Sequence, residues 1–510
     1  MSVGRESAPQ GTDRQETGAP VDQATVRAIV LGIMLAMFLS ALEQTIVAPA
    51  LPTIGRSLSD IESLPWVVTA YLLSATVATP LFGKLSDIYG RRAMMLISIG
   101  VFVLGSVACA LAPSVWLLVL ARALQGAGGG GLLPLAQTVI ADLLSPRERP
   151  MVQSYSSVMF MSASILGPVM GGFLTDYIHW SMIFWINVPL GAVALLMTDR
   201  ALRRLPRRHR PHRLDFIGAA LLIGASVALL LPLSWGGVQS GGRAAWTSTP
   251  VLALFGLSGL LWLLLVRRLM TAAEPLIPLD MVREPLIGAI VSAGFFGIGT
   301  IIGLSIFMPL YIELVLGESA SASGLVLIAF MAGATIGSLI SGRLISRLDR
   351  YKRVPVVALP LGIAALAAFA IWPDRFSVIE VAAILALGGV GMGTLYPTTT
   401  VIIQNAVLPH QMGIATGTLN FFRQLGGAIV VAIFGAIVLG GMQRSTAGLP
   451  FETLAGAPEA LTALFRWVFI AAALFLGLAF LAILWIEERP LRGPAPRQPR
   501  EPAAAPLAAE

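Results

Sequence analysis

Two ionisable residues lie deep inside long apolar stretches of this 510-residue chain: Glu43 in the run 28–50, and Arg122 in the run 115–141. An ionisable group at the centre of a membrane helix costs ~2.5–3.5 kcal/mol on insertion scales, so it faces a cavity or a partner. Glu43 stands about eight residues from one end of its run and Arg122 about seven residues into its own. At 1.5 Å per residue both come to rest roughly 10–12 Å below the same surface. Ser40, Glu43, Gln44 and Val47 share one helical face, as do Arg122, Gln125 and Gly129. Loss of water disfavours an ionised carboxyl and a nearby guanidinium favours it. A change in their separation would load or release a proton, and a cationic solute could compete for the same carboxylate. The other reading is a permanent ion pair that joins two helices.

The second half of the chain holds the remaining polar positions within apolar runs. Thr416, Asn420, Arg423 and Gln424 follow i, i+4, i+7, i+8 spacing, so they line one face that lipid would not tolerate. Arg423 could repel free cations, balance a carboxylate or contact carbonyls of the preceding span. Phe307 and Tyr311 share a face with Thr300 and Leu304, and aromatics together with Met159 and Met161 suit varied ligands or simply pack. Glu313, beside Tyr311, is either a group that binds solute or proton, or a solvated carboxylate at the interface. Gly126 and Gly128–Gly131 permit close helix approach, and Pro168 between Gly167 and Gly171-Gly172 interrupts a helical hydrogen bond. Such positions serve sliding elements or ordinary close packing equally well.

The elements that must position these residues are membrane helices. Hydrophobic residues make up 56% of the chain and charged ones 12%, against ~25% charged in a soluble domain. Fourteen apolar segments are each long enough to cross ~30 Å of hydrocarbon, and lipid demands helices because it offers backbone groups no partner. Continuous apolar runs of ~20 residues exclude a β-barrel, whose strands alternate over ~10. Lys and Arg concentrate in the termini and the even-numbered loops, including seven arginines in 200–213. The odd-numbered loops hold only Arg56, Arg243, Arg375 and Arg444. That bias places both termini in the cytoplasm. It also assigns the basic linker to anionic lipid rather than nucleic acid. One cysteine, Cys109, excludes an internal disulfide. No phosphate-binding Gly-x-x-x-x-Gly-Lys-(Ser/Thr) loop is present, four scattered histidines form no metal constellation, and no nucleophile–base pair suggests an enzyme.

Gly83-Lys84-Leu85-Ser86-Asp87-Ile88-Tyr89-Gly90-Arg91-Arg92 follows the second span, and Gly342-Arg343-Leu344-Ile345-Ser346-Arg347-Leu348-Asp349-Arg350 follows the tenth. Spans 1–6 and 9–14 therefore read as related halves, with spans 7–8 inserted. A tight glycine turn would place Asp87 near a helix N-terminus and near the arginines, where it could bridge to a neighbouring span, with Asp142 and Arg147-Glu148-Arg149 as further charge partners. Arg91 and Arg92 could instead be topology signals alone.

These residues bring a resemblance into view. The loop motif, Arg122-Ala-Leu-Gln125-Gly126-Ala-Gly128, Gly167-Pro168-x-x-Gly171-Gly172, and Leu42-Glu43-Gln44-Thr45-Ile46-Val47 stand in order in the expected spans. So do Trp66–Tyr71 and Phe184–Pro189. From about residue 28 to 486 the chain resembles the major facilitator superfamily, and within it the fourteen-span drug:proton antiporters of the EmrB/QacA type. The resemblance implies an all-α polytopic membrane protein of the major facilitator fold: two six-helix bundles plus two inserted helices. Its parts would be a cytoplasmic tail (1–27), a first bundle (28–199), a basic linker (200–213), two inserted helices (214–268), a second linker (269–285), a second bundle (286–486) and a disordered tail (487–510).

The resemblance further implies a proton-coupled exporter of amphiphilic, cationic drugs or toxic compounds. It would be monomeric, lie among lipids in a bacterial cytoplasmic membrane and need no cofactor beyond the proton. Glu43 and Arg122 would couple protons. Gln44, Gln125, Phe307, Tyr311, Glu313, Asn420, Arg423 and Gln424 would line the substrate cavity. Gly83, Asp87, Gly90, Arg91 and Arg92 would form a cytoplasmic gate, and Gly167, Pro168, Gly171 and Gly172 the antiporter motif. A carrier of another cargo, such as an amino acid, a siderophore or a lipid, by symport or antiport, is the alternative. Three positions depart from the family pattern: Glu43 stands for Asp, Ser181 for Arg, and Glu313 for Gln.

Overall fold

A computed structural model describes residues 23–60, 63–203, 214–235, 248–278, 281, 283–348, 351–445 and 458–488. Most of the basic linker, Asp349 of the second loop motif and the two tails fall outside this set. Every described element is helical, and fourteen helices are long and apolar enough to cross a membrane. We number them α1 (Gln23–Ile46), α2 (Leu64–Tyr89), α3 (Arg91–Ala110), α4 (Val115–Leu143), α5 (Arg149–Tyr177), α6 (Asn187–Leu202), α7 (Phe216–Trp235), α8 (Thr249–Thr271), α9 (Pro285–Leu314), α10 (Ala320–Arg347), α11 (Arg353–Ile371), α12 (Val378–Gly393, resuming after Thr394 as Leu395–Ala406), α13 (Met412–Ser445) and α14 (Pro458–Trp485). The face carrying the α2–α3 and α10–α11 loops is called the basic face.

The two halves repeat one pairing scheme. In the first, α1 packs on α5, α2 on α4 and α3 on α6; in the second, α9 packs on α13, α10 on α12 and α11 on α14. Small residues set the distances. A side-chain carbon on Gly130 of α4 would strike the Ala75 carbonyl of α2, and one on Gly393 would strike the Ala334 carbonyl of α10. These backbones touch because neither helix carries bulk at the crossing, the usual device where lipid gives no hydrophobic drive to association. The first half has two apolar clusters, one around Phe102, Leu135 and Val139 and one around Leu42, Ile54 and Phe184. The second has a single aromatic-rich core that includes Phe307, Tyr311, Phe369, Phe434 and Phe469.

The halves meet through two equivalent seams, α2 with α13 and α10 with α5. The inserted pair α7–α8 packs on itself and lies along the first of these, with α7 against both α2 and α13. Trp262 of α8 sits 6.4 Å, ring centre to ring centre, from Phe421 of α13. Asp215 pins the pair at the basic face by capping α7 at Gly218 N (3.0 Å) and pairing with Arg268 of α8 (3.0 Å).

The close α2–α4 crossing yields a direct check. Gly130→Val should lower the thermal unfolding midpoint of the purified protein, since overpacking costs ~1–3 kcal/mol or more where backbone must shift. Gly172→Val, whose added carbon meets nothing within 4 Å, should melt as wild type does. Equal melting of the two variants would remove the steric account of the crossing.

Candidate functional site

Glu43 and Arg122 do meet, and four more helical segments close around them. Glu43 is fully buried and Arg122 2% exposed. Arg122 Nη1 donates to Glu43 Oε1 and to Gln125 Oε1, the latter at 2.7 Å, and its Nε donates to the Val67 carbonyl of α2 at 3.1 Å. The other carboxylate oxygen, Oε2, accepts from Asn187 Nδ2 of α6 at 2.5 Å. The guanidinium lies over the Tyr71 ring, 4.3 Å from its centre, with Phe184 beyond. Gln125 continues the network into α3, donating to Ser106 Oγ at 2.8 Å and accepting from Cys109 Sγ at 3.5 Å. Equal depth on α1 and α4 created the pair, and the break at Ile186 brings Asn187 to it as the first residue of α6. Breaking such a pair by deleting one partner costs ~3–5 kcal/mol, because the other charge is left buried.

Gln44 is exposed and outside this cluster; its Nε2 donates to its own helix at Ser40 O (3.1 Å). Ser40 itself leans on α4 through the Gly129 carbonyl at 3.4 Å. Gln125 is buried within the charge network rather than at the space between the halves. On α5, Gly167 and Gly171 face Thr45 and Ile46 of α1, whereas Gly172 faces open space. Thr45 Oγ1 donates to the Ala163 carbonyl at 2.9 Å, one turn before Pro168.

The loop motif is a carboxylate latch between the halves. Gly90, at φ +90°, makes the turn from α2 to α3. Asp87 then reaches the first turn of α13, accepting from Gly413 N at 3.0 Å and Ile414 N at 2.8 Å, where exposed N–H groups and the helix dipole favour an anion. Arg91 holds the same carboxylate at 2.5 Å and links it to Asp142 of α4 at 2.8 Å. Arg92 pairs with Asp199 near the end of α6, which also takes Arg203. In the second copy Ser346 stands where Asp87 stands in the first, and its hydroxyl bonds only to Arg343 O of its own helix (2.7 Å). Among the described residues of the α10–α5 seam, Ser346 makes no such bridge, and Gly342 rests on Pro150 and Ser154. A cleft beside Asp87, lined by Lys84, Glu274 and His410, is covered by the stretch leaving α8.

Above the latch the seams continue as hydrogen bonds up to mid-helix. Gln424 accepts from Thr76 Oγ1 (2.9 Å) and donates to Thr79 Oγ1 (3.3 Å); Ser157 Oγ donates to Ser338 Oγ (2.8 Å). Gln137 of α4 is the most connected. Its Oε1 accepts from Asn420 (2.6 Å), its main-chain oxygen from Gln404 (3.2 Å), and its Nε2 donates to the Tyr396 hydroxyl (3.0 Å). Arg423, 3% exposed, donates through Nη2 to Tyr396 O (3.0 Å), Thr399 Oγ1 (2.6 Å) and Thr400 Oγ1 (2.8 Å), and through Nη1 to Asn420 Oδ1 (3.2 Å). These bonds occupy the half of the molecule nearer the basic face.

The aromatic residues expected in the cavity lie elsewhere. Phe307 meets Phe434 edge to face inside the second half. Tyr311 is buried there too, packed on Phe469 and donating its hydroxyl to the Pro373 carbonyl. Glu313 is exposed near the end of α9 and accepts from Ser323 Oγ at 2.7 Å. Sequence reasoning did not single out Asn187 as a site residue, nor Gln137, Tyr396, Thr400 and Gln404. A signal for the last three was present, since 396, 400 and 404 follow i, i+4, i+8 spacing on α12. Among the described residues no group of three or more His, Cys, Asp or Glu is arranged to hold a metal.

Comparison with known proteins agrees with this architecture. A family model described as Major Facilitator Superfamily matches residues 33–431. Multidrug resistance protein 3 of Bacillus subtilis is 32% identical over 81% of this chain and 80% of its own length. Multidrug transporter protein MdtP of the same organism is 32% identical over 80% of this chain and 75% of its own. The fold is shared with a bacterial homologue of the iron transporter ferroportin, solved in an outward-facing state, at a TM-score of 0.62 and 11% identity over 90% of this chain and 98% of that one. Two repeated six-helix halves, joined through paired seams and matched across most of their length by such a family, make this chain a member of the major facilitator superfamily of membrane transporters.

Proposed function

We propose that the protein is a proton-coupled antiporter that exports amphiphilic, drug-like compounds across a bacterial cytoplasmic membrane by alternating access. The concentration of arginine on the basic face supports a cytoplasmic position for that face and for both termini. The described conformation is then closed toward the cytoplasm. Relatives named as multidrug transporters, alike over most of the chain, support a drug-like cargo.

The observation that carries the reading is the Glu43–Arg122–Asn187 cluster. A carboxylate held by a guanidinium and an amide inside the first half is the one fully buried acid within the described membrane spans. When Glu43 takes a proton, Arg122 keeps Gln125, the Val67 carbonyl and the Tyr71 face as partners, while its hold on α1 weakens. Because α1 and α5 pack closely at Thr45 and Gly167, a shift of α1 is felt on the α5 side of the seam. The Asp87 latch supplies the other requirement, a closed state that can be released. Alternating access follows if the proton biases one seam geometry and the cargo the other.

Two measurements test this. In proteoliposomes with an imposed pH gradient, Glu43→Gln should reduce gradient-driven drug transport to near the level of empty liposomes, and Glu43→Asp should retain part of it. Full-rate coupled transport in Glu43→Gln would remove Glu43 from the role. Separately, Asp87→Asn should weaken the charged hydrogen bonds of the latch, worth ~1.5–3 kcal/mol, and shift the closed-to-open ratio by about 10- to 100-fold. Spin labels at Tyr89→Cys and Leu408→Cys report the change as a longer distance distribution. An unchanged distribution would show that the latch does not hold the seam.

A further inference from the structure

Arg423 is a buried cation whose every recorded partner is neutral: one carbonyl, two threonine hydroxyls and one amide oxygen. Its Nε has no partner at all. Among the described residues it forms no salt bridge, and its guanidinium stacks on the Tyr396 ring at 4.5 Å. On the α9 side it faces Gly294, which offers no side chain; a carbon built there would lie 3.6 Å from Nε. A guanidinium buried without an anion is an expensive arrangement unless a counter-charge arrives in another state.

The surrounding donors show where that counter-charge would sit. Asn420 Nδ2 and Gln404 Nε2 both belong to the second half, and both point to oxygens of one residue in the first half, Gln137. The amide and main-chain oxygens of Gln137 satisfy these donors but carry no charge, so Arg423 stays uncompensated. Once the seam parts toward the basic face, Gln137 leaves with its own half. Arg423 and the two amides remain together on the wall of the opened cavity, with the Tyr396 ring beside them.

We infer that Arg423, Asn420 and Gln404 form a binding site for an oxyanion on the cargo, a carboxylate, phenolate or sulfonate, and that Gln137 plugs this site in the closed seam. The inference deepens the exporter reading and rests on it. It also changes the expected charge of the cargo. A cationic compound needs a carboxylate open to it, yet both oxygens of Glu43 are engaged inside the first half, and the opened seam presents Arg423 instead. An oxyanion supplies in one group the two acceptors that Gln137 withdraws and the negative charge it never provided.

The test is binding without any pH gradient, so that it can fail independently of proton coupling. Full-length protein in lipid nanodiscs is dialysed to equilibrium against radiolabelled naphthalene-2-carboxylate and, separately, tetraphenylphosphonium, with empty nanodiscs subtracted. Arg423→Gln should weaken naphthalene-2-carboxylate binding by about tenfold or more and leave tetraphenylphosphonium unchanged; Arg423→Lys should retain part of the affinity. Gln137→Ala, which frees Asn420 from the amide oxygen and leaves only the main-chain oxygen on Gln404, should strengthen carboxylate binding severalfold. Wild-type affinity in Arg423→Gln, or no gain in Gln137→Ala, overturns the site. Acetate competing as well as unlabelled naphthalene-2-carboxylate overturns its assignment to cargo and makes it a small-ion site.

Discussion

Hydrocarbon supplies no hydrogen bonds, and the architecture of this molecule follows from that one constraint. A polar group at membrane depth is satisfied only by another part of the chain, and one left without a partner is costly. In the first half the answer is internal: Glu43, Arg122, Gln125, Ser106 and Asn187 satisfy one another across α1, α3, α4 and α6. Between the halves the answer is mutual, with α2 and α4 presenting Thr76, Thr79 and Gln137 to Gln424, Asn420 and Gln404. The first arrangement makes a stable unit. The second makes a contact that can be exchanged, because each partner is neutral and can be rehydrated when water enters.

That distinction explains how the charges are distributed. The strong, charge-assisted contacts between and beside the halves lie at the basic face, where Asp87 meets the start of α13 and Arg91 and Arg92 find further acids. Deeper along the seams the bonds are between amides and hydroxyls. The contacts thus grade from charge-assisted at the edge to neutral hydrogen bonds behind it.

Much of this was legible in the sequence, and the unread part has a physical pattern. Span number was clear, because charge is expensive in lipid and therefore sparse within the fourteen apolar runs. The Glu43–Arg122 pairing followed from depth alone, since two buried opposite charges at one level have few other partners. The bridging of Asp87 to a neighbouring helix start followed from a short glycine turn beside arginines. Phe307 and Tyr311 read differently, as a cavity face, because helical spacing says that residues share a side but not what that side looks at; here it looks into the aromatic core of its own half. Neutral polar residues were hardest. Gln137 and Asn187 carry no charge to mark depth or sign, and their importance arises from partners a hundred or more residues away.

The halves are built on one plan, yet the inserted pair α7–α8 lies along the seam between α2 and α13, where α7 packs on both helices. Two helices outside the repeat thus add packing surface along that edge, which the symmetry of the halves alone would not supply. Seen from within the leaflet, that seam lies behind a wall of two further helices, a screen that breaks the twofold likeness of the molecule's flanks.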